Sequence, residues 1–313
     1  MDTDADDLAA LGDIGFDYHH RILIGGRKTG GRGLDSLNEL GAQFTREARE
    51  DIANAIRTDK ELFESDAFLL VAATAGGTGS GAISVMAPYL KERYPKMAIY
   101  AMVVLPFRHE EVSDDKVIIN SAVCLKSVYE AASAVFLVDN DKLTQHAPNL
   151  IAEPAGTNGF IAAPFYNLLC VGGEKKARYV GARMLDAGDI MQVLSGWTAV
   201  GCASLPLPRF SFRPTREAHQ ELRLMDEAIS GLSVSCHARD AGRALYLISA
   251  PAREISLEAV TELGEYLSQI THQAVIRDGD YPRETAKKEI VLVLSQLGDV
   301  ARVRELYQAM SQE

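Results

Sequence analysis

A run of small residues is the part of the sequence whose chemistry is easiest to infer. It reads Ala75-Gly76-Gly77-Thr78-Gly79-Ser80-Gly81 and closely follows the apolar run 67–73. Glycine lets the backbone approach an anion, and successive amides at the start of a helix stabilise phosphate together with the helix dipole. Thr78 and Ser80 add small hydroxyl donors. The run indicates a phosphate-binding turn, and a purely structural turn is the alternative.

The residues around this run exclude two common phosphate motifs. A P-loop has Lys and then Ser or Thr after its last glycine, and Ala82 and Ile83 stand there instead. A dinucleotide-binding fold has an acidic residue about 20 positions further on, where this chain reads Val104-Leu105-Pro106-Phe107. A dehydrogenase is therefore the weakest of the functions considered.

Two carboxylates form a second candidate cluster, in Leu185-Asp186-Ala187-Gly188-Asp189-Ile190. Acids three positions apart can lie on one side of a turn that enters a helix, where the helix dipole favours negative charge. On the sequence alone, helix capping explains Asp186 and Asp189 best.

Alternating elements must position these residues in the first half of the chain. Short apolar runs closed by glycine, proline or acidic residues predict buried strands, and the amphipathic segments between them predict helices. The strands are 67–73, 97–105 and 134–138, and the helices are 42–58, 80–94 and 118–133. This alternation predicts an α/β fold with a parallel sheet.

The second half predicts another α/β layer after a proline-containing stretch. Strands are expected at 243–249, 272–277 and 288–295, with a helix at 256–270. The last helix, 299–310, places Val300, Val303, Leu306, Tyr307 and Met310 on one face, which we expect to pack on that sheet.

Composition limits the function. The chain has 313 residues, 47% of them hydrophobic, which suits a globular protein of two domains. Its net charge of −11 argues against nucleic-acid binding. No apolar run approaches the roughly 20 residues of a membrane helix, and the acidic start is unlike a signal peptide. We therefore expect a cytoplasmic protein without direct membrane insertion.

The four cysteines are far apart in the sequence, so they form no zinc or redox motif. Each lies in an apolar stretch and is expected to be a small buried hydrophobe. They are Cys124, Cys170, Cys202 and Cys236.

GGTGSG after a buried strand resembles the phosphate signature of the tubulin/FtsZ superfamily. Further segments follow in the family's order: Asp2-Thr3-Asp4-Ala5, Gly30-Gly31-Arg32-Gly33, Asn120-Ser121-Ala122 and Asn140-Asp141-Lys142-Leu143. The likeness covers most of residues 1–200. It implies an FtsZ-like or CetZ-like tubulin homologue, with a Rossmann-like parallel-sheet GTPase domain, a central helix and a second α/β domain.

The resemblance implies a GTP/GDP site built from several loops. Gly76, Gly77, Thr78, Gly79, Ser80 and Gly81 would hold the phosphates. Glu110 would face the ribose, with a solvated charge run as the alternative. Asn167 would recognise the guanine edge, because an amide both donates and accepts hydrogen bonds; a satisfied polar side chain is its alternative. Asp4 is the candidate Mg²⁺ ligand.

The resemblance also changes the interpretation of Asp186 and Asp189. They match the loop that enters the nucleotide site of a neighbouring subunit, where a carboxylate can polarise the attacking water while Mg²⁺ offsets phosphate charge. We expect head-to-tail protofilaments, with hydrolysis completed across the subunit interface.

Some features depart from the family pattern. Met184 replaces an Asn of the catalytic loop, Ala75 replaces a glycine, and Gly172-Gly173 interrupts the central helix. Family members begin with a strand and another glycine-rich loop, to which nothing before Asp2 corresponds. We expect a truncated chain, because the loss of a central strand would expose a long apolar edge. A mis-assigned start and a divergent member that lacks part of the phosphate clamp are the alternatives.

The resulting hypothesis is a cytoskeletal GTPase in cell division or cell shape. It has a GTP-binding domain at 1–163, a central helix at 164–185 and a C-terminal domain at 186–313. Its partners are further copies of itself, with other FtsZ/tubulin-like subunits or membrane-anchoring adaptors as candidates. The alternative is a degenerate, non-hydrolysing relative that binds or regulates filaments.

Overall fold

The structure is a computed structural model that describes residues 1–312 except 13, 16–19, 35–36, 147–153, 174–184 and 208–219. The chain forms two compact units. Met1–Val135 and Val303–Glu313 make the first, and Phe136–Arg302 make the second. The predicted domain limits at 163 and 186 stay predictions, and Met184 lies outside the described residues.

The first unit contains two parallel strands and most of the predicted helices. Its elements are α1 Ala5–Ala10, α2 Gly26–Thr29, α3 Asn38–Glu47, α4 Arg49–Thr58, β1 Ala67–Ala73, α5 Gly77–Arg93, β2 Ala98–Leu105, α6 Arg108–Ser113, α7 Asp115–Ala131 and, at its far end, α13 Ala301–Met310. The strands predicted at 67–73 and 97–105 and the helices predicted at 42–58, 80–94 and 118–133 are confirmed, although a break at Ala48 divides the first of these helices.

Strand β1 pairs with β2 in parallel, from Ala67 with Ala98 to Ala73 with Val104, and α5 connects them. The described residues form no ladder on the other edge of β1. Leu69 is 41% and Val71 62% exposed. Among the described residues, β1 is therefore paired on one edge only, and the apolar side chains on one of its faces are exposed.

Helices α3 and α5 touch through their backbones because glycines line the contact. A Cβ on Gly41 would lie 2.2 Å from the carbonyl oxygen of Gly77, and a Cβ on Gly81 would lie 2.2 Å from that of Asn38. Real side chains do not tolerate such distances. The glycines of α5 are thus required by packing, whatever else they do.

The second unit is a four-stranded mixed sheet with helices. Its elements are β3 Ala134–Asp139, which begins at the unit boundary, α8 Asn140–His146, α9 Pro154–Gly173, α10 Ala187–Val193, β4 Gly196–Pro206, α11 Gln220–Ser230, β5 Ala241–Ala250, α12 Leu257–Thr271, β6 Val275–Pro282 and β7 Lys287–Leu297. The strand order in this sheet is β4-β7-β5-β6. Strand β7 pairs antiparallel with both β4 and β5, and β5 pairs parallel with β6. Three strands and α12 confirm the predicted C-terminal α/β layer.

Several elements differ from the sequence predictions. Strand β4 was not predicted, and its Gly201 lets α11 approach so closely that a Cβ there would lie 2.0 Å from the Ala228 oxygen. Helix α9 begins at Pro154 rather than Pro164 and ends at Gly173; residues 174–184 of the predicted central helix lie outside the described residues.

The C-terminal helix α13 was expected to pack on the sheet of the second unit, and this prediction is wrong. Residues from Val303 onward belong to the first unit. Val303 and Leu306 are buried there, and Glu305 accepts a hydrogen bond from Arg108 at 2.7 Å. The amphipathic pattern correctly predicted a buried face but could not identify its partner.

Cys124 is buried, as predicted, and burial raises the pKa of its thiol to about 12. Cys202 and Cys236 are half-buried, and burial raises their pKa values to about 12 and 11. At neutral pH these thiols stay protonated and unreactive. The side chain of Cys170 lies outside the described residues. Among the described helices, none is long and apolar enough to span a bilayer.

Arg21 fixes the end of α1. Its guanidinium donates to the carbonyl oxygens of Leu8 at 2.8 Å and Ile14 at 2.6 Å. It also donates to the oxygens of Ala9, Leu11 and Gly15. Terminal helix carbonyls have no partner within the helix, so one side chain satisfies the end of α1 and the turn that follows.

We expect Arg21→Ala to lower the free energy of unfolding of the ligand-free protein by about 2 kcal/mol, because hydrogen bonds from a charged donor to these carbonyls are lost. Urea unfolding measures the change. The matched control is Arg27→Ala, since Arg27 is exposed and makes no hydrogen bond or ion pair with a described residue. Equal stability of the two variants would contradict this role of Arg21.

Candidate functional site

A cavity of about 800 Å³ opens at the start of α5, inside the first unit. On one side it is lined by Gly76, Gly77, Thr78 and Gly79. The exposed edge of β1 forms another side. Opposite lie acidic residues of the N-terminal segment and the turn around Arg32. The structure thus places residues 76–79 of the glycine run and Asp4 around one cavity.

Side chains from neighbouring elements hold the glycine run in place. Asn120 on α7 donates to the Ala75 oxygen at 2.9 Å. Thr74 donates to the Val104 oxygen at 3.2 Å and shares a hydrogen bond with Ser121 at 2.9 Å. These contacts fix the exit from β1 before the helix begins.

The four glycines of the run do not have the same surroundings. A Cβ on Gly77 would lie 2.8 Å from the Leu37 nitrogen, and one on Gly79 would lie 2.9 Å from the Ala73 oxygen. A Cβ on Gly81 would collide with the backbone of α3. Only at Gly76, among these four, would a Cβ meet no atom within 4 Å. Gly76 therefore presents its backbone to the open cavity.

The two hydroxyl residues of the run are already engaged. Thr78 shares a hydrogen bond of 2.5 Å with Thr3, which is fully buried. Ser80 is also buried and donates to the carbonyl oxygen of Gly76. Thr78 lines the cavity, whereas Ser80 and Gly81 are absent from its described lining.

The charge of the cavity lining is mainly negative. Asp2, Asp4 and Asp7 line it, and Arg32 is the one basic side chain among the described lining residues. Arg32 makes no hydrogen bond or ion pair with any described residue. Its backbone is fixed beside that of Asp4 by an antiparallel bridge, so Arg32 lies on a defined turn at the cavity.

Asp4 has one carboxylate oxygen occupied by the structure. Its Oδ1 accepts from the amides of Asp6 at 2.8 Å and Asp7 at 3.2 Å, which caps α1. The described residues contain no cluster of three or more His, Cys, Asp or Glu side chains that could enclose a metal. Mg²⁺ commonly needs only one or two carboxylates in addition to substrate phosphates, and the acidic lining fits that requirement.

Glu110 caps a helix in this structure. Its Oε2 accepts from the Phe107 amide at 2.7 Å, at the start of α6. Glu110 is not among the described residues that line the cavity. Its suggested contact with a ribose therefore stays a prediction.

Asn167 lies in α9 of the second unit and is only 5% exposed. Its amide has no hydrogen-bond partner among the described residues. The low exposure of Asn167 does not distinguish a ligand contact from a core position, and its suggested contact with a guanine edge stays a prediction.

Asp186 and Asp189 form a reciprocal cap at the start of α10. The Asp189 amide donates to Asp186 Oδ1 at 2.8 Å, and the Asp186 amide donates to Asp189 Oδ2 at 3.3 Å. Each carboxylate keeps one oxygen outside this cap. The second Asp189 oxygen lies 3.7 Å from Arg277 Nε. Capping is thus observed, and it leaves both acids at the surface.

Sequence reasoning missed several residues of these sites. Arg277 is distant in sequence from Asp189, so no local pattern identified it. Thr3 and Arg32 stand in segments that carry the resemblance, but neither was given a role. The glycines that flank Arg32 were a signal for a turn, and Gly31 and Gly33 have positive φ values of 74° and 75°.

Comparisons with known proteins assign both halves of the chain. Residues 1–148 match the model of the Tubulin/FtsZ family, GTPase domain, and residues 156–312 match that of the Tubulin-like CetZ, C-terminal domain. The Tubulin-like protein CetZ3 of Haloferax volcanii is 28% identical over 307 residues, which cover 91% of this chain and 77% of that protein.

Solved structures agree with this assignment. CetZ1 from Haloferax volcanii, as a GDP-bound monomer, superposes with a TM-score of 0.82 at 26% identity, over 100% of this chain and 89% of the other. CetZ2 from the same organism, as a GTPγS-bound protofilament, superposes with a TM-score of 0.84 at 24% identity. The match covers 99% of this chain and 88% of the other. The predicted fold class is confirmed.

The packing analysis predicts opposite effects of alanine at two glycines. Gly81→Ala is expected to destabilise the ligand-free protein by about 1–3 kcal/mol, because the methyl group collides with backbone atoms of α3. Gly76→Ala should change stability by less than about 0.5 kcal/mol, since its φ of −78° suits alanine and the space is open. Urea unfolding measures the free energy of unfolding of both variants. Similar losses of stability would show that Gly76 is also a packing residue.

Proposed function

The chain belongs to the tubulin/FtsZ family and carries the C-terminal domain of its CetZ group, and on this premise we propose that it is a cytoplasmic, cytoskeletal GTPase that assembles head to tail. The observation that carries the proposal is the cavity at the start of α5, where Gly76 faces open space. Nucleotide-bound CetZ1 and the CetZ2 protofilament support it by similarity.

In this proposal the phosphates of GTP lie against the Gly76–Gly79 amides, at the positive end of the α5 dipole. Arg32 supplies the one basic side chain of the described lining and contacts the phosphate chain. Asn167 is the candidate for recognition of the guanine edge, and Glu110 is the candidate for the ribose contact. Thr78 and Ser80 hold the turn in shape through the bonds described above.

The acidic lining supports a role for a divalent cation in this proposal. Asp2, Asp4 and Asp7 would repel the phosphates of a nucleotide. Mg²⁺, when bound, neutralises the charge that develops on the phosphates. Asp4 would hold it through the carboxylate oxygen that does not cap α1.

Asp186 and Asp189 are proposed to act on the nucleotide of the next subunit. Their caps fix the start of α10, and each carboxylate keeps one oxygen outside the cap, that of Asp189 beside Arg277. There a carboxylate orients the attacking water and accepts its proton. Head-to-tail contact is heterologous and does not close, so the same contact that completes the site also propagates a filament.

A non-hydrolysing filament-binding relative is the second candidate function. The observation in its favour is that both acids are engaged in a capping box, which accounts for them without catalysis. Tubulin-like partners, membrane-anchoring adaptors and a role in cell division or cell shape stay predictions for either function.

GTP turnover per subunit is expected to rise with protein concentration and then level off, because each complete site needs two copies. Phosphate release at a series of concentrations, with light scattering on the same samples, measures turnover and assembly together. A specific activity that stays constant on dilution would contradict shared sites. Turnover absent at every concentration, with GTP bound and filaments formed, would favour the second function.

Asp189→Asn separates catalysis from capping. Asparagine keeps an oxygen that accepts from the Asp186 amide but loses the negative charge, so the cap remains. We expect turnover to fall by about 100-fold or more, with GTP affinity and thermal stability unchanged. The control Asp189→Ala should lose turnover too, and in addition about 1 kcal/mol of stability, because alanine also removes the cap. Full turnover by Asp189→Asn would assign the residue to capping alone.

A further inference from the structure

Two arginines on neighbouring strands hold helix α10 from the side of the sheet. Arg243 on β5 pairs in register with Val275 on β6, and Arg277 lies two residues beyond Val275. Side chains two positions apart on a strand point to the same face. Arg243 and Arg277 therefore project together on the face of the sheet that α10 covers.

Both guanidiniums converge on Gln192 in the last turn of α10. Arg243 Nη1 donates to the Gln192 carbonyl oxygen at 2.5 Å, and Arg277 Nη2 donates to its side-chain Oε1 at 3.1 Å. Arg277 Nε also lies 3.7 Å from Asp189 Oδ1. Arg277 thus links the acid near the start of the helix with the glutamine near its end.

The connection after α10 is fixed as well. Ser295, fully buried on β7, accepts from the Ser195 amide at 2.8 Å and donates to the Ser195 carbonyl oxygen at 2.8 Å. Ile190 and Val193 bury the apolar side of the helix. With both the helix and its exit held, the orientation of the Asp189 carboxylate depends on its own side-chain rotation.

We propose that Arg277 is a positioning residue that restricts this rotation, so that the Asp189 carboxylate is held in a single orientation for the substrate of a neighbouring copy. This inference rests on the proposed function. Arg277 is 41% and Asp189 34% exposed, and ion pairs at that exposure add little stability. Its significance is geometric, because small misplacements of a catalytic group cost large factors in rate.

The test compares four variants of the full chain. Arg277→Gln removes the charge, and Arg277→Lys retains it. Arg253→Gln is the matched control, since Arg253 is another exposed arginine of the second unit, 3.6 Å from the carboxylate of Glu254. Asp189→Asn reports on the proposed function itself. Each is assayed for thermal stability, GTP affinity, the critical concentration of assembly and turnover per assembled subunit.

We expect Arg277→Gln to lower turnover per assembled subunit by roughly tenfold, with KM for GTP, critical concentration and melting temperature unchanged. Arg277→Lys should recover part of the loss, because a point charge still attracts Asp189 but does not reproduce the planar fork. Arg253→Gln should have the same turnover, GTP affinity, critical concentration and melting temperature as the unchanged protein.

The outcomes separate this inference from the proposed function. Full turnover by Arg277→Gln, with Asp189→Asn inactive, overturns the role of Arg277 and leaves the proposed function standing. Full turnover by Asp189→Asn overturns the catalytic role of Asp189, and the inference with it. A raised critical concentration at unchanged turnover per assembled subunit would make Arg277 an assembly residue and also overturn the inference.

Discussion

The contact between the backbones of α3 and α5 is the constraint on which the candidate nucleotide site depends. Gly41 and Gly81 allow it, because any side chain at either position would overlap main-chain atoms of the facing helix. The first turn of α5 is consequently fixed before any ligand arrives. Amides that are already oriented require no reorganisation on binding, and such preorganisation is what makes a helix start an effective anion site.

This constraint changes how the glycine run is understood. The sequence left two alternatives, a phosphate-binding turn and a structural turn. Gly77, Gly79 and Gly81 meet neighbouring backbone and satisfy the structural requirement, whereas Gly76 faces the cavity. Packing therefore accounts for the absence of side chains at these three positions, and it is compatible with the proposed phosphate contact, which uses backbone amides of the same turn.

Local patterns were sufficient where an element is defined by its own residues. Apolar runs closed by glycine or proline predicted β1 and β2, and helical periodicity predicted α5, α7 and α12. Strand β4 was missed because small residues such as Gly201 and Ala203 carry little strand preference. It is held by pairing with β7, which is about a hundred residues away and invisible to local reasoning. The packing of α13, beside Arg108, is nonlocal in the same way.

Capping and the proposed catalytic role of Asp189 are compatible for a reason that lies in the reaction. Phosphoryl transfer passes through a loose transition state, so that positioning matters more than covalent assistance by the protein. The cap uses one oxygen of the carboxylate, and Arg277 lies beside the other. A free acid would point in many directions, whereas this one is restricted by two partners. The contacts that make Asp189 look structural are therefore those that a water-orienting residue requires.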